Sequence, residues 1–304
     1  MNQASNSPSA RTWIAGQPWR LWGHQVMAVV RQELKQNLFS RRAAGIYLLA
    51  FAPVVILGIY VLQTPCLNCN AYGDVSLSRT FKFYLDEETT MLAGIFQLYY
   101  LRLGIFFGVM GLFTWLFRGQ IVQRTLHYSF LAPLRRELLI LGKFLAGTLM
   151  ATLMFGVGVL LCFALVYWHF KSAGYDYVFH GPGLQQLAVY LGITALACIG
   201  YGAIFLTLTI IFKNPIIPGI VMLGWETFSG IFPAMLQRLS VSFYLKHLCP
   251  VNAPANGILA LLTVVAEPVA PWATVLGLLL LTSVALAVAC IRSRRLEISY
   301  SSEQ

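Results

Sequence analysis

The chain is 304 residues long, 58% hydrophobic and only 11% charged, with a mean hydropathy of +0.70. Soluble domains carry about a quarter charged residues, so water is excluded as the main solvent and one helical membrane domain is expected, with no stretch left for a second globular unit. The net charge of +10 does not require nucleic acid; retention of Lys and Arg on the inner face, facing anionic headgroups, accounts for it.

Residues 1–17 are polar and rich in Ser and Ala, with no apolar core of a cleavable signal peptide. They read as a disordered cytoplasmic N-terminus, and the first span as its own uncleaved insertion signal. Residues 18–43 hold an amphipathic stretch, clearest over 18–38. At 100° per residue, Trp19, Trp22, Val26, Val29 and Val30 fall on one side, with His24, Arg31 and Lys35 opposite. Glu33 interrupts the apolar side. A helix lying in the inner headgroup region is predicted, with a linker helix packed on protein as the alternative.

Residues 44–291 contain six predicted transmembrane helices, each near the ~20 apolar residues that cross a bilayer core. They are Ala44–Leu62, Met91–Phe117, Phe144–Trp168, Leu187–Phe212, Ile216–Phe232 and Trp272–Ile291. Each must be helical, because backbone groups find no water in lipid. The fifth is short, bounded by Pro218 and Pro233, and contains Glu226. Asn256–Val265 is half a span and reads as a re-entrant or interfacial element. Residues 292–304 form a tail.

Fifteen of the 21 Lys and Arg residues fall before the first span, between spans two and three, between four and five, or in the tail. Five fall on the other side, and Arg102 lies in or near the second span. Both ends are therefore expected in the cytoplasm, in a multi-pass protein of the cytoplasmic membrane.

Between spans two and three the chain reads from Arg118 to Lys143, with Gln120, Arg124, Thr125, Leu126, Pro133, Arg135 and Arg136 along it. Ile121, Leu126 and Phe130 can share the apolar side of a short helix, which Pro133 ends. A new helix then runs into the third span. Such a cross-lying helix is suited to take force from a cytoplasmic partner.

Glu226 is the one acidic residue placed inside a span, and burying it there costs at least ~2.5 kcal/mol. It is a candidate for a translocation path, or for an outer vestibule if the fifth span breaks near Gly224 and Gly230. Arg102 is a second path candidate, or else an outer-interface residue that pairs with Asp86, Glu87 or Glu88. Cys66 and Cys69 form a lone CxxC in the first external loop, open to a disulfide, free thiols or a metal, with Cys249 as a competing partner. Cys162, Cys198 and Cys290 read as small packing residues. His24, His127, His169, His180 and His247 are scattered and make no metal or haem pattern; no metal site is expected.

The run Gly119–Lys143 resembles the first coupling loop of ABC-2 type transporter permeases, whose pattern it meets with Thr125-Leu126, Ala132-Pro133, Arg135 or Arg136, and Gly142-Lys143. Arg124 stands where that family usually has an acidic residue. Trp225-Glu226, followed by Leu239-Ser240-Val241, Leu245 and Pro250, resembles the fifth-span region of one branch. The resemblance implies an all-α permease subunit, paired with a second copy or a paralogue, that docks on a separate cytoplasmic ABC ATPase and works in export. No Gly-x-x-x-x-Gly-Lys-Ser/Thr run is present. The chain itself is then expected to bind no cofactor and to be no enzyme, with ATP and Mg held by the partner. The alternatives are a stand-alone secondary transporter, which calls for an internal repeat not seen between the halves, and a membrane enzyme or assembly factor, for which catalytic constellations are missing.

Overall fold

A computed structural model describes residues 19–38, 43–63, 86–119, 136–168, 171–212, 214–229, 232–251 and 270–294. These form helices throughout, with no strand among the described residues. In chain order they are α1 (Trp19–Asn37), α2 (Ala44–Gln63), α3 (Asp86–Phe117), α4 (Arg136–Trp168), α5 (Lys171–Phe179), α6 (Gly183–Ile211), α7 (Ile216–Phe228), α8 (Ala234–Gln237), α9 (Val241–Leu248) and α10 (Pro271–Arg294).

Five of them, α2, α3, α4, α6 and α10, are long and apolar enough to cross a membrane. That pattern is consistent with a multi-pass membrane protein. The predicted fifth span, Ile216–Phe232, does not reach that length as a helix. It stops at Phe228 after 13 residues, about 20 Å at 1.5 Å per residue, against ~30 Å of hydrocarbon. Pro215 caps its start and Pro218 lies in its first turn, where the backbone N–H has no helical acceptor to lose. The predicted element Asn256–Val265 lies outside the described residues. The short helix α5 was not expected: flanked by polar and glycine residues, it is too brief to give a periodic signal. Tyr177 fastens it, stacking on Tyr167 at 5.2 Å and donating its hydroxyl to Gln186 Oε1 at 3.0 Å.

Helix α6 is central and packs on α3, α4 and α10. Its most apolar window is 72% buried, against 17% for α2 and 22% for α10. Those two outer helices leave Leu48, Val55, Ile56, Leu276, Leu280 and Ile291 uncovered, apolar faces of a kind compatible with a lipid surrounding. In the core, Phe106 meets Tyr201 and Phe205 edge-on, with centroids 5.4 and 5.0 Å apart. Such aromatic pairs add about 0.5–1.5 kcal/mol beyond their burial.

Close approach of α2 to α4 depends on Gly158. A Cβ there would lie 2.6 Å from Ala50 O and 2.9 Å from the Tyr100 hydroxyl. Within α2, Pro53 has no N–H, so the Leu49 carbonyl one turn earlier has lost its helical donor. Tyr99 supplies the replacement, its hydroxyl donating to Leu49 O at 3.1 Å. Beside it, the Tyr100 hydroxyl donates to Ala50 O at 2.9 Å. Both tyrosines lie in Ile95–Gly104, where α3 widens into a π-helix. The wider turn narrows the angle between consecutive side chains, so two neighbours can reach one helix.

Candidate functional site

Two polar centres stand inside the apolar bundle. The first joins α1, α3 and α4. Lys143 was read as the end of the loop motif, but it is fully buried, within the second turn of α4. Its Nζ lies 3.4 Å from Glu33 Oε1 on α1 and donates to Leu116 O on α3 at 2.8 Å. It also sits 4.8 Å from the centre of the Phe117 ring. Glu33 is held from the other side by Asn37, whose Nδ2 donates to Glu33 Oε2 at 2.8 Å. The residue that seemed to spoil the apolar face of α1 is thus what that face is built around. Val30 beside it is buried, and Val29 lies over Gly142, where a Cβ would come within 2.8 Å of its Cγ1. The face carrying Val29, Val30 and Glu33 therefore packs on α4 rather than turning to lipid, which is the linker-helix alternative for that face. Arg31, Lys35 and Met27 are exposed on the opposite side.

Sequence reasoning missed this pair, although each member left a trace. One is an acid on an apolar helical face. The other is a lysine inside an apolar run. Two buried charges of opposite sign that lie near the same end of adjoining helices are candidates to neutralise each other.

The second centre joins α3, α7 and α9. Glu226 is 3% exposed, so it lines no open vestibule. Its carboxylate accepts from Ser240 Oγ at 2.7 Å, from Val241 N at 2.9 Å and from Ser242 N at 3.0 Å. Ser240 is the N-cap of α9, and its Oγ also accepts from Phe243 N at 3.4 Å. Helix N-termini present unpaired N–H groups and positive dipole, so a carboxylate satisfies both there. Glu226 therefore clasps the start of α9 to the end of α7. The two sequence runs Trp225-Glu226 and Leu239-Ser240-Val241 face each other across this clasp. Trp225 adds a stack on Phe232, 4.9 Å between centroids. Tyr201 of α6, also buried, shares a hydrogen bond with Ser242 Oγ at 3.1 Å.

Arg102 does not pair with Asp86, Glu87 or Glu88. It lies sixteen residues further along α3 than Asp86, in the middle of the helix. Its Nη2 donates to Thr227 O at 3.1 Å, at the C-terminal end of α7. Glu88 instead accepts from Tyr60 at 2.9 Å. Glu226 and Tyr201 lie within electrostatic range of Arg102, so the two predicted path residues do come together. Lys246 on α9 joins them.

Most of the remaining predicted residues fall outside the described part of the chain. Gln120, Arg124, Thr125, Leu126, Pro133 and Arg135 lie outside the described residues, as do Cys66 and Cys69. Arg118 and Arg136 fall at helix ends without described side chains. Cys162 shares a hydrogen bond with the Tyr100 hydroxyl at 3.4 Å, and Cys198 is buried, both as packing residues. Among the described residues, no three His, Cys, Asp or Glu side chains gather as a metal would need. No protein-family model matches this chain, and no curated protein matches it.

Proposed function

We propose that this chain is the transmembrane subunit of an ABC-2 type transporter, a permease that forms the translocation path and is driven by a separate cytoplasmic ATPase. The observation that carries the reading is the setting of the loop between α3 and α4, whose residues resemble the family's coupling loop. Lys143 ties the start of α4 to the end of α3 through Leu116 O, and to α1 through Glu33. A push that reaches the start of α4 or the end of α3 is shared among three helices at once. Rocking of packed helices between inward and outward arrangements then moves the substrate.

In this reading both termini are cytoplasmic, and the chain lies in the cytoplasmic membrane. Helix α7 and the clasped segment after it fill the place of a sixth crossing. Outer faces of α2 or α10 meet a second copy or a paralogue, and transport is export. ATP and Mg belong to the ATPase partner.

A stand-alone secondary transporter draws its support from the intramembrane charges Arg102 and Glu226. Three donors already hold the Glu226 carboxylate, so it is a poor candidate for a cycling proton or ion site, and we favour the motor-driven reading.

Affinity purification of the full chain from its native host tests the proposal. An ABC ATPase is expected to copurify, and its ATP hydrolysis to depend on the chain. If no ATPase copurifies and no ATP hydrolysis depends on the chain, the proposal is wrong.

A further inference from the structure

Between α2 and α3 the bundle holds a cavity of about 340 Å³, within the ~300–1,000 Å³ of clefts that hold ligands. Among the described residues its apolar walls are Ile46 and Leu49 of α2, Phe107, Leu112 and Trp115 of α3, and Met150 of α4. We propose that the acyl chain of a membrane lipid occupies this cavity. The proposal rests on the membrane-crossing length of α2 and α3 and not on the transporter reading above.

Shape is the first argument. Two positions in the walls carry no side chain: a Cβ at Gly45 of α2 or at Gly111 of α3 would meet nothing within 4 Å. One turn earlier on α3 the opposite holds, and a Cβ at Gly108 would run into the Phe155 ring. Gly108 is required by packing, whereas Gly111 leaves space. Voids larger than a water molecule are few in protein interiors, because their linings lose dispersion contacts. Gly45 and Gly111 are both exposed, so the cavity opens on the side of the bundle and a ligand can enter there.

The second argument is chemistry. Among the described residues the lining holds no charged side chain, and Asn37 is its polar member. The Asn37 amide already donates to Glu33 O at 3.0 Å and to Glu33 Oε2 at 2.8 Å. An ion finds no counter-charge on such walls, and a water molecule needs several polar partners. A hydrocarbon chain needs only apolar contact. Leu48, next to Leu49 of the wall, is exposed, so the mouth continues into the apolar outer face of α2. In a bilayer, the molecules that reach such a mouth are lipids.

The third argument is position. The cavity adjoins the polar joint of α1, α3 and α4. Leu116 in its wall supplies the carbonyl that accepts from Lys143 Nζ, and Asn37 holds Glu33. The corner between α1 and α2 is tied by the Tyr47 hydroxyl, which donates to Leu38 O at 2.7 Å. A chain in the cavity therefore packs against a joint that is already fixed, and its binding stabilises the arrangement that forms the site.

The test uses the full chain in phosphatidylcholine nanodiscs doped with a phosphatidylcholine that carries a photoactivatable diazirine in its acyl chain. Labelled peptides are mapped by mass spectrometry. Met150 is the reporter: it lines the cavity and is 3% exposed, so lipid on the outer surface of the bundle does not reach it. Label is expected on Met150 as well as on the outer residue Val55. Gly111→Leu and Gly45→Leu each grow a side chain into the open space, and each should remove the Met150 label while leaving that on Val55. Gly58→Leu, equally open but outside the cavity, should keep both. Because the walls are uncharged, a phosphatidylglycerol probe should label Met150 as strongly as the phosphatidylcholine probe does. Label on Val55 without label on Met150 in the parent overturns the proposal, whether or not a filling variant folds. So does a Met150 label that persists in a folded filling variant. Chain-to-chain crosslinks from a photoreactive residue at position 111, with no lipid label on Met150, make the occupant a second copy and overturn it too. A strong preference for one headgroup overturns the acyl chain as the recognised part. No ATPase is present in the nanodiscs and no photoreactive lipid in the copurification, so either idea can fail alone.

Discussion

Lys143 Nζ and Glu33 Oε1 stand 3.4 Å apart with the lysine side chain fully shielded and the glutamate side chain 7% exposed. The pair fixes the amphipathic helix α1 to the two helices that flank the basic loop. Breaking one member of such a pair strands the other, at a cost of about 3–5 kcal/mol. Glu33→Gln and Lys143→Met should each lower the unfolding midpoint in detergent. The double variant Glu33→Gln/Lys143→Met should recover most of that loss, since no charge is left unpaired. A double variant as unstable as the sum of the two would show that the residues act independently.

Removing the clasp at Glu226 should loosen α9 selectively. In Glu226→Ala the N–H groups of Val241 and Ser242 lose a charged acceptor, worth about 1.5–3 kcal/mol per bond to a charged group. Hydrogen–deuterium exchange read by mass spectrometry should rise sharply over α9 and stay unchanged in α4. Glu226→Gln keeps one carbonyl acceptor but turns an amide NH₂ toward backbone donors, so it should fall between the two. Unchanged exchange over α9 in Glu226→Ala would refute the assignment.

The hydroxyl of Tyr99 completes a hydrogen bond that Pro53 denies to its own helix. Tyr99→Phe should therefore destabilise by about 1 kcal/mol in the parent chain. In a Pro53→Ala background the alanine N–H can bond Leu49 O directly, and Tyr99→Phe should become nearly neutral. A double-mutant cycle on the unfolding midpoint reads this coupling. Equal effects of Tyr99→Phe in both backgrounds would count against it.

Charge reversal of the basic loop tests transmission. Arg135→Glu together with Arg136→Glu should uncouple ATP hydrolysis of the copurified ATPase from the chain. Retained coupling would remove the loop from the mechanism.

Much of the architecture follows from local composition. Long apolar runs mark α2, α6 and α10 closely and the ends of α3 and α4, because transfer of a helix into lipid is summed residue by residue; the more polar starts of α3 and α4, at Asp86 and Arg136, lie five and eight residues before the predicted spans. The fifth run was the exception. Hydropathy carried it to Phe232, but the helix ends at Phe228, and Glu226 in its last turn bonds to the start of α9.

What the sequence by itself determined is the location of the five long apolar helices and the presence of charges that do not belong in lipid. Only the tertiary structure decided who neutralises them. Glu33 meets Lys143, Glu226 meets the backbone of Val241 and Ser242, and Arg102 meets Thr227 O rather than the acids at the start of its own helix. The reason is physical. Burial of apolar surface is additive along the chain and leaves a local pattern. A buried charge is satisfied by whichever donor or acceptor the packing of distant segments brings within about 3 Å, and no local pattern records that choice.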